Sequence, residues 1–180
     1  MTQFQSRTVA FIGLGLISGS LARALRGSSW NGTLMAWGPR AASLQRGLEL
    51  GVIDHYSLNL SEVLATADMI VVGAPPAATG EILKSVVDEL SRLHRTPVVT
   101  DLASIKGHVI DSMACDYANF VPGHPIAGSE HSGVAFSDGA LFRGREVILT
   151  PLLHTAADAT EQVRACLLYT SDAADEVSWG

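Results

Sequence analysis

A glycine-rich turn near the start of the chain constrains the fold more than any other feature of the sequence. A short run of β-type residues, Val9–Ile12, leads directly into Gly13 and Gly15. Apolar residues then recur at helical spacing in the segment Leu16–Leu25. A strand, a glycine turn and a helix in this order are the context in which a G-x-G-x-x-G pattern indicates dinucleotide binding.

Each position of the turn has a physical role in binding phosphate. Gly13 permits the tight turn, and Gly15 has no side chain to hold a pyrophosphate away from the backbone. The first N–H groups of the helix, at Leu16 and Ile17, offer hydrogen bonds to phosphate at the positive end of the helix dipole. Ser18 replaces the third glycine and is small enough for close packing of helix and strand. A strand–turn–helix unit without a ligand is the alternative interpretation.

The end of the second strand indicates which nucleotide is bound. The apolar run Thr33–Trp37 is followed by Gly38, at the place where folds that bind NAD carry an acidic residue for the ribose 2′-hydroxyl. Arg40 and Ser43 follow closely, so a guanidinium is available to pair with a 2′-phosphate and no carboxylate repels it. This pattern slightly favours NADP over NAD. The alternative is that Arg40 is an ordinary surface residue at a helix start.

Strand and helix patterns alternate along the chain. Apolar runs predict strands at Met69–Gly73, Pro97–Leu102 and Glu146–Thr150. Helical patterns are found at Ala41–Leu50, Ser61–Ala67 (with Ser61 as N-cap), Thr79–Leu93, Ile105–Ala114 and Thr155–Ala165. This alternation predicts an α/β fold with a doubly wound parallel sheet of the Rossmann type.

Ligands of such sheets bind at the carboxyl ends of the strands, where we expect three motifs to converge. The glycine turn is the first motif, and Ala74 with Pro75 forms the second. The third reads DLASIK from Asp101 to Lys106 and places Ser104 in the turn after a strand. We expect Ala74, Pro75 and Asp101 to contact the cofactor. Taken alone, Ser104 also fits a helix N-cap and Lys106 a solvated side chain.

The segment FVPGHPIAGSEHSG, at residues 120–133, is rich in glycine, proline and small polar residues. It predicts a stiff turn in which His124 is held between a glycine and a proline. A zinc site is not expected, because His124, Glu130 and His131 lack a recognised ligand spacing. A Ser–His hydrolase is not expected either, because the sequence has no G-x-S-x-G elbow.

Together these motifs resemble the prephenate/arogenate (cyclohexadienyl) dehydrogenase family of tyrosine biosynthesis. The resemblance covers about residues 8–165, and its segments stand in the family's order. The segments are GLGLISGSLA (Gly13–Ala22), LQRGLELGVID (Leu44–Asp54), VVTDLASIKG (Val98–Gly107), FVPGHPIAGSEHSG (Phe120–Gly133) and VILTP (Val147–Pro151). The HP-x-AGSE-x-SG run is the most specific of them.

The resemblance implies NAD(P)-linked oxidative decarboxylation of prephenate or arogenate, giving 4-hydroxyphenylpyruvate or tyrosine. In the family pattern, His124 accepts the proton of the ring 4-hydroxyl as hydride leaves for the nicotinamide, a task that suits a neutral imidazole. Ser104 matches the serine that orients this histidine, and Lys106 matches a lysine near the substrate's charged groups. Ser129 and Glu130 match residues at the mouth of the site, where Glu130 is expected to act as a gate.

Composition sets the remaining expectations. The formal net charge is −6 and no cluster of Lys and Arg occurs, so nucleic acid is not an expected partner. The 2 cysteines make no disulfide framework, the N-terminus lacks the apolar core of a signal peptide, and no apolar run reaches transmembrane length. We therefore expect a cytoplasmic enzyme that acts on a small molecule, with no metal site and no membrane partner.

The resemblance also implies a helical domain that forms a homodimer and supplies an arginine for the substrate's carboxylate. We expect this domain to be missing from the chain. We expect residues 1–165 to be the dinucleotide-binding domain. We expect residues 166–180 to be a foreign tail, because CLLYTSDAADE resembles a translated sequencing adapter. Such a fragment would bind NAD(P) but turn over poorly. Two alternatives remain: another NAD(P)-dependent reductase, of the β-hydroxyacid dehydrogenase or imine reductase type, and a nucleotide-binding fragment without catalysis.

Overall fold

The computed structural model describes residues 4–104, 116–128, 130–170 and 177–179. Its main sheet consists of β1 (Thr8–Ile12), β2 (Thr33–Trp37), β3 (His55–Ser57), β4 (Met69–Val72), β5 (Val98–Asp101) and β6 (Phe120–Val121). These six strands are parallel and lie in the order β3-β2-β1-β4-β5-β6. This is the strand order of dinucleotide-binding folds, in which the order reverses between β1 and β4. The predicted doubly wound parallel sheet is confirmed.

The helices that the structure describes flank this sheet. They are α1 (Leu16–Gly27), α2 (Ala41–Glu49), α3 (Leu60–Leu64), α4 (Pro76–Arg92) and α5 (Ala157–Thr170). The helix predicted at Ile105–Ala114 lies outside the described residues, as do Lys106 and Ser129. None of the described helices is both long and apolar enough to cross a membrane.

Both faces of the sheet are covered, because successive side chains of a strand point to opposite faces. In β1, Val9 and Phe11 belong to a core cluster with residues of α1, α2 and α5. Ala10 and Ile12 belong to a second cluster with residues of α3 and α4. All residues of β4 are buried, which explains why this strand reads as a continuous apolar run.

The segment predicted as a polar turn at residues 120–133 begins instead with extended structure. Phe120 and Val121 are fully buried, and as β6 they extend the parallel sheet beyond β5. The Phe120 N–H donates to the Tyr117 carbonyl oxygen at 3.0 Å, and the Val121 carbonyl oxygen accepts from the Thr100 hydroxyl at 2.7 Å. Burial of the two apolar side chains stabilises this outer strand of the sheet. Because the segment as a whole is polar in composition, the sequence does not identify its first two residues as core residues.

A second, smaller sheet holds His124. Its strands are β7 (Gly123–Pro125), β8 (Val147–Leu149) and β9 (Val177–Trp179), in the order β7-β8-β9. Strand β7 runs antiparallel to β8, and His124 lies opposite Ile148. The prediction of a turn at His124 was therefore wrong. His124 lies in a strand that pairs with β8, which is more than 20 residues further along the chain. Local sequence patterns do not show such a pairing.

The starts of α3 and α4 differ from prediction because of their caps. Helix α4 begins at Pro76 rather than Thr79, since the first turn of a helix tolerates a proline, whose missing N–H is not needed there. Helix α3 begins at Leu60, and its N-cap is Asn59, whose Oδ1 accepts a hydrogen bond from the Ser61 N–H. The predicted N-cap, Ser61, lies inside the helix.

Ser18 packs α1 against the end of β4, at the third small position of the glycine pattern. Its side chain is 1% exposed, and within the described part of the chain its hydroxyl has no hydrogen-bond partner. A Cβ built on Gly73 would lie 1.8 Å from the Ser18 Oγ. The close approach of helix and strand therefore depends on Gly73 as much as on the small size of Ser18.

We expect Gly73→Ala to destabilise the fold by about 1–3 kcal/mol, the usual cost of overpacking. Adding Ser18→Gly removes the clashing hydroxymethyl group and is expected to recover part of this loss, although a glycine within a helix costs about 0.5–1 kcal/mol. Urea denaturation of the wild type, both single variants and the double variant measures the coupling free energy. Strictly additive effects of the two substitutions would show that these residues do not compete for the same space.

Helix α5 packs into the core beyond the point where the foreign tail was predicted to begin. Val163 and Ala165 are buried, and so are Cys166 and Leu167, which fall within the predicted tail. Burial raises the pKa of the Cys166 thiol to about 12. The origin of residues 166–180 stays a prediction, but the first two of these residues contribute to the core cluster.

We expect alkaline pH to destabilise the protein through Cys166. An unfolded thiol ionises near pH 8.5, whereas the folded thiol does so near 12. The unfolded state therefore releases a proton that the folded state keeps, and the free energy of unfolding falls by up to about 1.4 kcal/mol per pH unit between these values. Urea denaturation at about pH 7 and about pH 9.5 measures this loss, which is expected to be smaller in Cys166→Ala. An equal loss in both proteins would contradict the assignment to Cys166.

Candidate functional site

A cleft of about 990 Å³ opens at the carboxyl end of the parallel sheet. Its walls come from the turns after β1, β2, β4 and β5 and from the segment that starts with β7. These turns meet because parallel strands end at one edge of the sheet, next to the point where strand order reverses. The predicted site residues that line the cleft are Gly13, Gly15, Leu16, Ile17, Gly38, Arg40, Ser43, Ala74, Pro75, Ser104 and His124.

Gly13 makes the tight turn after β1. Its φ of +94° lies in the region that favours glycine, and a Cβ there would lie 2.7 Å from the Gly73 carbonyl oxygen. The Gly13 N–H donates to the Trp37 carbonyl oxygen at 2.8 Å. The Gly73 N–H donates to the Ile12 carbonyl oxygen at 2.9 Å. The turn is thus fixed against the ends of both neighbouring strands, β2 and β4.

Neither protein packing nor backbone conformation explains the glycine at position 15. A Cβ built on Gly15 would meet no protein atom within 4 Å, and its φ of −109° is accessible to any residue. Gly15 is the N-cap of α1, where no side chain caps the first N–H groups and no acidic residue stands in the first turn. Open space above a glycine and an uncapped helix start are what the pyrophosphate of a dinucleotide needs. The residues present therefore fit such a cofactor.

Arg40 follows the end of β2 and is the one Lys or Arg among the described residues that line the cleft. Arg40 is exposed directly before α2, and Ser43 lies in the first turn of that helix. Among the described residues that line the cleft there is no Asp or Glu. Gly38 is buried, but a Cβ there would come only within 3.7 Å of Leu44, which is ordinary van der Waals contact. Position 38 therefore has room for a side chain, and the missing carboxylate is not a consequence of packing.

The turn after β4 supplies an apolar wall. Ala74, Pro75 and Pro76 line the cleft there, together with Ile82 of α4. Pro75 is the N-cap of α4, so the turn is stiffened by a proline on each side of the helix start. An apolar, rigid wall of this kind favours a flat ring over a charged group.

Ser104 and His124 reach the cleft from two different sheets. Ser104 is exposed in the turn after β5, and His124 is half-buried in β7. Both line the same cleft as the glycine turn. An imidazole can exchange a proton near neutral pH, and a hydroxyl can donate and accept hydrogen bonds beside it. The pair therefore provides proton-transfer chemistry next to a space that fits a dinucleotide.

Asp101 lies elsewhere than predicted. Its side chain is 0% exposed and is not among the groups that line the cleft. Its carboxylate accepts hydrogen bonds from the backbone N–H groups of Ala103, at 3.0 Å, and Gly123, at 3.2 Å. The carboxylate therefore lies behind the wall of the cleft and binds the protein's own backbone.

The segment after β7 returns to the mouth of the cleft. Glu130 is exposed and does not line the cleft, whereas its neighbours His131 and Ser132 do. The His131 ring lies 4.8 Å from the Phe136 ring, centre to centre, at an angle of 30°. No sequence signal separates His131 from Glu130, since both stand in one polar run. In the described part of the chain, no cluster of His, Cys, Asp and Glu could hold a metal ion.

Comparison with known proteins agrees with this geometry. A family model described as "Prephenate dehydrogenase, nucleotide-binding domain" matches residues 21–172. The chain is 30% identical over 161 residues to a cyclohexadienyl dehydrogenase of Zymomonas mobilis. The aligned region covers 88% of this chain and 53% of that relative. The chain spans about half the length of the curated relatives it matches.

Solved structures show the same fold. A prephenate dehydrogenase from A. aeolicus, in complex with hydroxyphenyl propionate and NAD⁺, superposes with a TM-score of 0.84 at 26% identity, covering 99% of this chain and 61% of that one. An arogenate dehydrogenase from Synechocystis gives a TM-score of 0.84 at 25% identity, covering 96% of this chain and 59% of that one. The family match spans most of the chain, which therefore belongs to the prephenate dehydrogenase family through its nucleotide-binding domain.

Proposed function

We propose that this chain is the cofactor-binding half of an NAD(P)-dependent dehydrogenase that oxidatively decarboxylates prephenate or arogenate in tyrosine biosynthesis. The observation that carries the proposal is that Ser104 and His124 line the same cleft as the glycine turn. The family match supports it, as does the relative solved with NAD⁺ and hydroxyphenyl propionate.

The cofactor is proposed to lie across the carboxyl ends of β1, β2 and β4. The N–H groups at Leu16 and Ile17 donate hydrogen bonds to its pyrophosphate at the start of α1. Arg40 and Ser43 bind a 2′-phosphate, which no carboxylate of the described lining residues repels. NADP is therefore slightly preferred over NAD in this proposal. The apolar turn after β4 holds the nicotinamide end.

His124 is proposed as the proton acceptor. When bound, the nicotinamide supplies the hydride acceptor. The neutral imidazole of His124 accepts a hydrogen bond from the substrate's ring 4-hydroxyl and takes its proton as the ring carbon is oxidised. Ser104 orients the imidazole and contacts the same hydroxyl. A side chain that accepts a proton at this oxygen lowers the barrier because the oxygen becomes more acidic as hydride leaves.

The products follow from the electron count. Loss of hydride and of the hydroxyl proton converts the ring alcohol to a carbonyl. The bond between the ring and its carboxylate then breaks, CO₂ leaves, and the electron pair of that bond aromatises the ring and places negative charge on the oxygen. The proton held by His124 returns to this phenolate oxygen. The imidazole is thereby neutral again and ready for the next turnover.

Further residues are proposed at the substrate end of the cleft. Lys106 and Ser129, which lie outside the described residues, are proposed near the substrate's charged groups and at the mouth of the site. Glu130 is proposed as a gate, since it is exposed beside His131, which lines the cleft.

We also propose that residues 1–165 form the native domain, and that the native protein is a cytoplasmic homodimer held together by a helical domain.

The test is a single-turnover experiment with the chain in excess over substrate. The purified chain is incubated with NADP⁺ and either prephenate or arogenate, and reduced cofactor is followed by its absorbance. We expect slow formation of reduced cofactor, matched mole for mole by 4-hydroxyphenylpyruvate or tyrosine. Reduced cofactor without an aromatic product, or no reaction with either substrate, would contradict the proposed reaction.

A further inference from the structure

A buried carboxylate joins the two segments that carry Ser104 and His124. Asp101 is the last residue of β5, and its side chain is 0% exposed. It accepts one hydrogen bond from the N–H of Ala103, the residue directly before Ser104, at 3.0 Å. It accepts another from the N–H of Gly123, the residue directly before His124, at 3.2 Å. One side chain therefore fixes the backbone next to both members of the pair.

Among the described residues, the two segments are also held by the ladder between β5 and β6, which ends at Thr100 and Val121. Strand β7 itself belongs to the smaller sheet and is not paired with β5. The crossing point is tightly packed, because a Cβ on Gly123 would lie 2.9 Å from the Asp101 carbonyl oxygen and 3.1 Å from the Thr100 Oγ1. The Thr100 hydroxyl donates to the Val121 carbonyl oxygen at 2.7 Å, which holds the chain just before this crossing.

We propose that Asp101 is a positioning residue that sets the separation and orientation of Ser104 and His124. The inference rests on the proposed function, in which these two side chains act on one substrate hydroxyl. A carboxylate suits the task because it offers acceptor oxygens in two directions, and charge-assisted hydrogen bonds are about twice as strong as neutral ones. Loss of these bonds leaves two buried N–H groups unpaired, which costs enough to shift the backbone.

The test compares Asp101→Asn with Asp68→Asn. The Asp68 carboxylate also accepts two backbone N–H groups, from Arg7 and Thr8, at 2.9 Å each. Asp68 directly precedes β4, so it lies at the amino ends of the parallel strands, whereas the cleft lies at their carboxyl ends. Each substitution keeps the size of the side chain but replaces one acceptor oxygen with an amide donor. The exposed Asp68 accepts both of its bonds on Oδ2, which an asparagine oxygen can also do, whereas Asp101 uses both carboxylate oxygens. Asp68→Asn therefore controls for loss of the negative charge, and only Asp101→Asn is expected to disturb Ser104 and His124.

Three readouts separate positioning from general stability. We expect Asp101→Asn to lower the single-turnover rate by about 10–100-fold, since a misplacement of about 1 Å costs up to about 100-fold. NADP⁺ affinity is expected to stay unchanged, because the glycine turn and Arg40 are untouched. The NMR resonances of the His124 ring, identified by their loss in His124→Asn, are expected to shift in Asp101→Asn and not in Asp68→Asn. Asp101→Ala, which removes both acceptors, is expected to have a larger effect than Asp101→Asn.

The experiment distinguishes failure of the positioning role of Asp101 from failure of the proposed function. If His124→Asn abolishes turnover and Asp101→Asn leaves both the rate and the His124 resonances unchanged, the positioning role is wrong and the proposed function stands. If His124→Asn retains full turnover, the proposed function is wrong. An Asp101→Asn protein that does not fold, alongside a folded Asp68→Asn protein, would also overturn the inference, because Asp101 would then be a structural residue of the whole domain.

Discussion

His124→Asn is expected to lower the rate of substrate oxidation by about 10²–10⁴-fold, the usual contribution of a positioned proton acceptor. Asparagine is smaller than histidine but still accepts a hydrogen bond, whereas its amide does not take up a proton near neutral pH. NADP⁺ affinity is expected to be unchanged, since the imidazole is not among the groups proposed to bind the phosphates. The absorbance of reduced cofactor in single turnover gives the rate, and calorimetry gives the affinity.

His55→Asn is the matched control for this prediction. His55 is exposed in β3, at the edge of the sheet, and does not line the cleft. The same substitution there is expected to leave the rate unchanged. A near wild-type rate in His124→Asn, with the control behaving as expected, would remove His124 from the mechanism.

Gly38→Asp is expected to shift the cofactor preference from NADP⁺ towards NAD⁺ by about 10–100-fold, which corresponds to one charged hydrogen bond of about 1.5–3 kcal/mol. The position has room for the side chain, since the nearest atom to a Cβ there is 3.7 Å away, in Leu44. A carboxylate at the end of β2 accepts a hydrogen bond from a ribose 2′-hydroxyl and repels a 2′-phosphate. The ratio of the two dissociation constants, measured by calorimetry, checks the prediction.

Gly27→Asp is the control for charge. A Cβ on Gly27 would meet no atom within 4 Å, and the residue is exposed at the far end of α1 from the cleft. Adding the same negative charge there is expected to leave the ratio of dissociation constants unchanged. An unchanged ratio in Gly38→Asp would show that the end of β2 does not contact the adenosine ribose.

The glycine turn and the helix after it were predictable because their signals are local. Val9–Ile12, Gly13 and Leu16–Leu25 stand next to one another in sequence, so one short segment shows the pattern of strand, turn and helix. The meeting of the glycine turn with Ser104 was also predictable, since parallel strands end at one edge of the sheet. The location of the cleft could therefore be predicted from the local patterns together with the expected sheet topology.

The place of Asp101 could not be predicted, because it depends on a contact between distant segments. The D-L-A-S-I-K motif shows an acidic residue at a strand end next to the site, which by itself favours a ligand contact. Only the position of β7 shows that the carboxylate turns away from the cleft and binds the Gly123 N–H. The strand at His124 was missed for the same reason, since its partner Ile148 lies on β8.

Ser18 shows a different limit of sequence reasoning. The sequence shows that a serine replaces the third glycine, and its small size predicts close packing. It does not show that Gly73 supplies the missing space, with a Cβ position only 1.8 Å from the serine hydroxyl. Packing between α1 and β4 is a property of the pair, and only the structure brings the two residues together.

Calorimetric titration of the 180-residue chain with NADP⁺ and with NAD⁺ tests the central claim, that the cleft at the carboxyl end of the sheet is a dinucleotide site. We predict that both cofactors bind at one site per chain and that NADP⁺ binds more tightly. Arg40→Ala is expected to remove this difference, whereas Arg46→Ala, further along α2, is expected to keep it. No binding of either cofactor by the folded chain would contradict the account.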